Sequence, residues 1–149
     1  MFAEPCLPDK MTTGTTNPIL FQGFEWHTPS QPPATDQTHS EGSHYSRLTR
    51  LLPSLSAIGV SSIWLPPGCK ANNPSGNGYD CYDLWDLGEF DQKWARSVRW
   101  GSREELRDLM DVAKKLEVEV IWDAVLNHKT AGDSVEEGVW AVEVDKEGG

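Results

Sequence analysis

Three short apolar runs, spaced by helix-patterned segments, restrict this chain to a sheet whose strands run in the same direction. The first run covers 18–24 (Pro18, Ile19, Leu20, Phe21, Gln22, Gly23, Phe24) and predicts a strand over about 19–24. The second covers 60–65 and is closed by Pro66 and Pro67; the third covers 118–125. Between the first two, Leu48, Leu51, Leu52, Leu55 and Ile58 recur at helical spacing, and Gly59 is placed for a left-handed cap. Pro53 falls inside that stripe and should bend or divide the helix. Before the third run, Ser102 and Glu105 form a capping box, and Leu106, Leu109, Met110, Ala113 and Leu116 make an apolar helical face.

Strand, helix, strand, helix, strand is the order that gives parallel pairing with right-handed crossovers. Each crossover carries its long insertion after the strand. From Thr28 to Ser43 there is no large apolar residue, and Pro29, Pro32 and Pro33 forbid a regular helix, so this is a surface loop. A second loop, 68–78, leads into Tyr79, Asp80, Cys81, Tyr82 and Asp83, a mixture of aromatics and carboxylates unusual for a connector. Insertions on the carboxyl side of parallel strands are where β/α barrels keep their functional loops. Three strands cannot close an eight-stranded barrel. Either the sheet is small and open, or it opens something larger. Residues 1–17 have few apolar anchors and read as a loose lead-in.

Composition removes several classes of function. The formal net charge of −10 argues against nucleic acid or an anionic membrane as partner, since neither is bound without clustered Lys and Arg. No apolar run is long enough to cross a bilayer. Cys6, Cys69 and Cys81 are odd in number without CxxC spacing, so neither a disulfide framework nor a zinc site follows. The N-terminal residues lack a basic start and an apolar core, and the expectation is a cytoplasmic protein. Seven Trp residues nudge the reading toward carbohydrate, whose apolar faces stack on aromatic rings. After Gly132, six acidic residues (Asp133, Glu136, Glu137, Glu143, Asp145, Glu147) face only Lys146: a solvated end, or carboxylates for a hard cation.

The third run ends in Asp123-Ala124-Val125-Leu126-Asn127-His128, an acid, an amide and an imidazole at the carboxyl tip of a strand. Polar groups there are costly unless they bind something. With Lys129, this stretch resembles the signature after the third barrel strand of glycoside hydrolase family 13, the alpha-amylases. The likeness is to the bacterial liquefying and intracellular fungal type. Four further segments resemble that family in the same order: Phe24-Glu25-Trp26; Ile63-Trp64-Leu65-Pro66-Pro67; Gly78-Tyr79 leading into 82–90; and Ala141-Val142-Glu143-Val144-Asp145.

This resemblance implies the first three β/α units of a TIM (β/α)8 barrel over 18–128, incomplete as a barrel, and the start of the inserted domain B over 129–149. It implies that His128 donates to sugar hydroxyls beside the cleaved bond and that Tyr79 stacks on the same sugar. Trp26 would line the cleft floor, and Asp123 would orient neighbouring groups by a charge-assisted bond. Asn127 would offer its side-chain oxygen to a structural calcium ion, with the α-glucan (starch, glycogen or maltooligosaccharide) as partner. Retaining hydrolysis in that family needs two carboxyl groups about 5–5.5 Å apart. They come from the fourth and fifth strands, so no catalytic residue is assigned within this sequence.

The leading expectation is therefore an amino-terminal portion of an alpha-amylase-type glycosidase, inactive alone and exposing apolar strand edges. A non-catalytic glucan-binding fragment is the alternative. An independent nucleotide or receiver-type open sheet is disfavoured because residues 25–40, where a phosphate loop belongs, contain no glycine.

Overall fold

The strands begin where two helices end, and the helix ends are built alike. The structure, a computed structural model, describes residues 17–29, 42–130 and 132. Helix α1 (His44–Ala57) starts at Ser43, whose hydroxyl accepts from the Ser46 amide. At its far end Gly59 (φ +97°) donates to Ser56 O and Val60 donates to Leu55 O, the double bond pattern of a left-handed cap. Helix α2 (Arg103–Lys115) opens on the expected capping box of Ser102 and Glu105. It closes with the same two bonds, Glu117 to Lys114 O and Val118 to Ala113 O, although Glu117 adopts φ +56° with a full side chain. Val60 and Val118 are thus buried parts of helix caps.

For that reason the strands are shorter than the apolar runs. They are β1 (Leu20–Gln22), β2 (Ser62–Leu65), β3 (Lys70–Ala71), β4 (Cys81–Asp83) and β5 (Glu119–Trp122). The expected strand over 19–24 stops early because the chain turns at 25–28, where Thr28 N donates to Glu25 O. The one over 118–125 stops at Trp122, after which Leu126 bonds Ala124 instead of a neighbouring strand. Strands β3 and β4 pair antiparallel inside a region read as loop; two or three residues leave no readable period. Pro53 neither divides nor ends α1. It sits on the exposed flank of the helix, where the donor missing at the Thr49 carbonyl can be supplied by water. The expected lead-in and the expected inserted domain lie, apart from residues 17, 129, 130 and 132, outside the described residues.

The sheet order is β1-β2-β5, parallel throughout, as the alternation predicts. Its register sets Phe21, Ile63 and Val120 abreast on one face. That face packs with Tyr45, Leu48 and Leu52 of α1 and with Leu106, Leu109 and Ala113 of α2 into the main core. On the other face Gln22, Trp64 and Ile121 stand abreast, and Gln22 and Ile121 are exposed. In a (β/α)8 barrel the face turned from the helices points inward. Within the described residues β1 and β5 are the edge strands, with Leu20 52% and Ile121 43% exposed.

The segment 84–101 holds only isolated bridges and is anchored by a buried ion pair. Lys70 Nζ lies 3.1 Å from Asp86 Oδ2, with the side chains 2% and 0% exposed. Lys70 also donates to the carbonyls of Phe90, Ala95 and Arg96. Burial alone would raise the Asp86 carboxyl, but hydrogen bonds from Gln92, the Glu89 and Gly88 amides and Lys70 outweigh it and hold the group below its usual range.

Candidate functional site

Tyr79 is the residue on which the site converges. Gly78 places it: with φ +95° it adopts a backbone that favours glycine, and a Cβ there would lie 2.5 Å from Pro67 O. Tyr79 Oη donates to Asp123 Oδ2 at 2.6 Å, next to the carboxyl end of β5. His128 Nε2 donates to the Tyr79 carbonyl at 2.8 Å. Trp26, carried by the turn after β1, lies parallel to the Tyr79 ring with centroids 5.8 Å apart and planes 8° off parallel. Loops after three different strands therefore deliver Trp26, Tyr79, Asp123 and His128 to one place, the arrangement expected at the carboxyl ends of parallel strands. Burial, reinforced by the hydrogen bond and charge of Asp123, pushes the Tyr79 phenol up to about 12.

Two details alter the roles expected from sequence. A layer of sugar between two rings needs about 7–8 Å, twice the best carbon–carbon contact distance, so nothing enters between Trp26 and Tyr79 as they stand. The open stacking surface is the outer face of Trp26, which is 61% exposed. His128 uses its Nε2–H on the Tyr79 carbonyl, so that hydrogen is not free for a sugar hydroxyl and Nδ1 is the ring nitrogen left to face one.

Several supporting residues escaped the sequence reading. Thr130 fixes the segment after His128, donating from its amide and hydroxyl to Cys81 O and from the hydroxyl to Asp80 O. Asp80 organises the loop before Tyr79, accepting at its carboxylate from Asn73 N and at its carbonyl from Asn72 N. His44 is buried against Trp100 and donates from Nε2 to Gly23 O at 2.7 Å, while Arg47 donates to its Nδ1. Both ring nitrogens thus serve the neutral form. Burial is the largest cause that lowers its pKa to about 4. None of these contacts spans fewer than three residues, and most join distant segments, so no local motif announces them.

Asn127 is exposed, and among the described residues no group of three or more His, Cys, Asp or Glu side chains could hold a metal ion. The carboxylates after Gly132 lie outside the described residues.

Residues 35–143 match the family model described as the alpha-amylase catalytic domain. The chain belongs to the alpha-amylase catalytic-domain family. Within it, the chain is 36% identical over 129 residues to an alpha-amylase of Bacillus licheniformis, covering 87% of this chain and 23% of that protein. It is 35% identical over 130 residues to a glucan 1,4-alpha-maltohexaosidase of Bacillus sp. (strain 707), with coverages of 87% and 23%. Against the cytoplasmic alpha-amylase of Escherichia coli it is 36% identical over 121 residues, covering 80% of this chain and 22% of that one. The chain thus spans under a quarter of the length of these relatives. Among solved structures, an alternansucrase in complex with isomaltotriose superposes with a TM-score of 0.63 at 19% identity, over 78% of this chain and 10% of that one. A MutB mutant in complex with sucrose gives 0.54 at 24% identity, over 75% and 17%. These structural likenesses show the fold alone, part of a TIM-barrel α/β architecture.

Proposed function

We propose that this chain forms the first three β/α units of a liquefying-type alpha-amylase and supplies part of its glucan-binding wall. The observation that carries this reading is the contact cluster of Trp26, Tyr79, Asp123 and His128, assembled from loops after successive parallel strands. A flat ring, an imidazole nitrogen and a carboxylate in one cluster suit a pyranose, which has an apolar face and a rim of hydroxyls. The complete enzyme would cleave α-1,4-glucan with retention. That reaction needs a carboxylate nucleophile and a carboxylic acid on opposite sides of the glycosidic oxygen. Asp123 is assigned neither role, because the resemblance places both carboxyl groups on later strands. The 149 residues alone therefore bind glucan weakly and do not cut it. Calcium belongs to the proposal through Asn127, one side-chain oxygen of a larger ligand set.

Affinity electrophoresis through gels containing soluble starch, run beside a reducing-end assay, tests this. Slight retardation that disappears in Trp26→Ala, without release of reducing ends, is the expected result. Turnover of starch at ordinary glycosidase rates would contradict it.

A further inference from the structure

The two loops that carry the Trp26–Tyr79 pair are joined by a residue that belongs to neither. Arg99 Nη2 donates to Thr28 O, two residues beyond Trp26, and Nη1 donates to Ser75 O, four residues before Tyr79; both bonds are 2.8 Å. Each gripped carbonyl sits in a stiff local structure. On one side, Glu25 N donates to Thr28 Oγ1, Thr28 N to Glu25 O, and His27 N to the Glu25 carboxylate. On the other, Ser75 N donates to Asn73 Oδ1, Gly76 N to Asn73 O, and Asn73 N to Asp80 Oδ2. Arg99 itself rests on a firm base. Its guanidinium lies 5.0 Å from the ring centre of Trp100, which is 1% exposed and donates its indole N–H to Pro67 O.

We propose that Arg99 is the positioning residue that sets the spacing of Trp26 against Tyr79, and through it the placement of the outer Trp26 face on which a sugar would stack. Two rigid turns bound to one planar fork cannot slide past each other without losing a hydrogen bond at one end. A lysine at this position keeps the charge over Trp100, but its donors radiate from one atom, whereas Arg99 reaches the two carbonyls from two different nitrogens, Nη1 and Nη2. The glucan part of the inference rests on the function proposed above; the geometric part does not.

The test is nuclear Overhauser spectroscopy between the Trp26 and Tyr79 rings in the 149-residue chain, with Arg99→Lys as the variant. A cooperative unfolding transition and unchanged contacts between His44 and Trp100 identify a folded variant. If Arg99→Lys does not fold, Arg99→Met keeps a long side chain over Trp100 and removes both donors. The expected result is loss of most of the Trp26–Tyr79 cross-peak intensity in a folded variant, together with at least a fivefold weaker response to maltotriose. Loss of the cross-peak when even the wild type ignores maltotriose would support Arg99 as the spacer and sink the glucan reading instead. Retention of the full Trp26–Tyr79 cross-peak in a folded Arg99→Lys or Arg99→Met protein would overturn the proposal.

Discussion

The two sides of the molecule, the helix-covered face of the sheet and the carboxyl ends of its strands, are held by different physics. Toward the helices, Leu52, Ile63, Leu65 and Leu109 are fully buried, and packing supplies the cohesion. At the carboxyl ends of the strands, long loops are held by directed polar contacts: Lys70 with Asp86, Arg99 with two carbonyls, Tyr79 with Asp123, and Thr130 with the start of β4. Apolar packing tolerates a substitution of similar volume, whereas a polar clamp fails when one partner is lost. The stable layer and the chemically useful layer are therefore separable, and the second depends on a few individual residues.

The strongest attempt to break that distinction removes one anchor from each side. Lys70→Ala leaves the Asp86 carboxylate buried without its cation and should cost about 3–5 kcal/mol, against about 2–5 kcal/mol for Leu109→Ala. The sharper difference is in hydrogen exchange. Lys70→Ala should release the amides of 86–96 ahead of global unfolding, whereas Leu109→Ala should raise exchange throughout the helices. Equal, global effects from both would mean that the loops and the helical layer form one cooperative unit.

His44 joins the two sides, so pH reports on the joint. It is neutral when folded, with its pKa lowered to about 4, whereas the unfolded chain protonates it near 6.5. Its contribution is present above pH 6.5 and disappears as pH falls from there toward 4, a loss of roughly 3 kcal/mol. Urea titrations across that range should show the decline, and His44→Gln should flatten it. A decline of the same size in His44→Gln would assign the effect to other groups.

The helix-side layer was largely legible in the sequence. Leu48, Leu52 and Leu55 repeat at helical spacing, Ser102 and Glu105 announce a cap, and the three apolar runs give a parallel sheet because burial imposes a period. The strand limits were not legible, since Val60 and Val118 look like strand residues and act as caps. At the site, Asp123 and His128 could be read because they close an apolar run, and Tyr79 because a glycine precedes it in an aromatic, acidic stretch. Arg99 and Lys70 could not: their partners lie 16 to 71 residues away and are mostly backbone carbonyls, which carry no residue identity.

A smaller effect sharpens the helix side alone. Glu117 closes α2 at φ +56°, where glycine meets no Cβ penalty. Glu117→Gly should raise stability by about 1 kcal/mol in thermal or chemical unfolding, leaving the Trp26–Tyr79 contact untouched. A loss of stability would mean that the glutamate side chain contributes more than its backbone strain.

The most direct measurement is a maltoheptaose titration of the isotopically labelled chain followed by NMR. The account predicts shifts at the Trp26 indole, the Tyr79 ring and the His128 imidazole, with the buried resonances of Leu52 and Leu109 unmoved. Trp85 and Trp94 are 84% and 90% exposed, more so than Trp26, and serve as internal competitors for any unspecific stacking. Shifts confined to Trp85 and Trp94, with Tyr79 and His128 silent, would contradict the account.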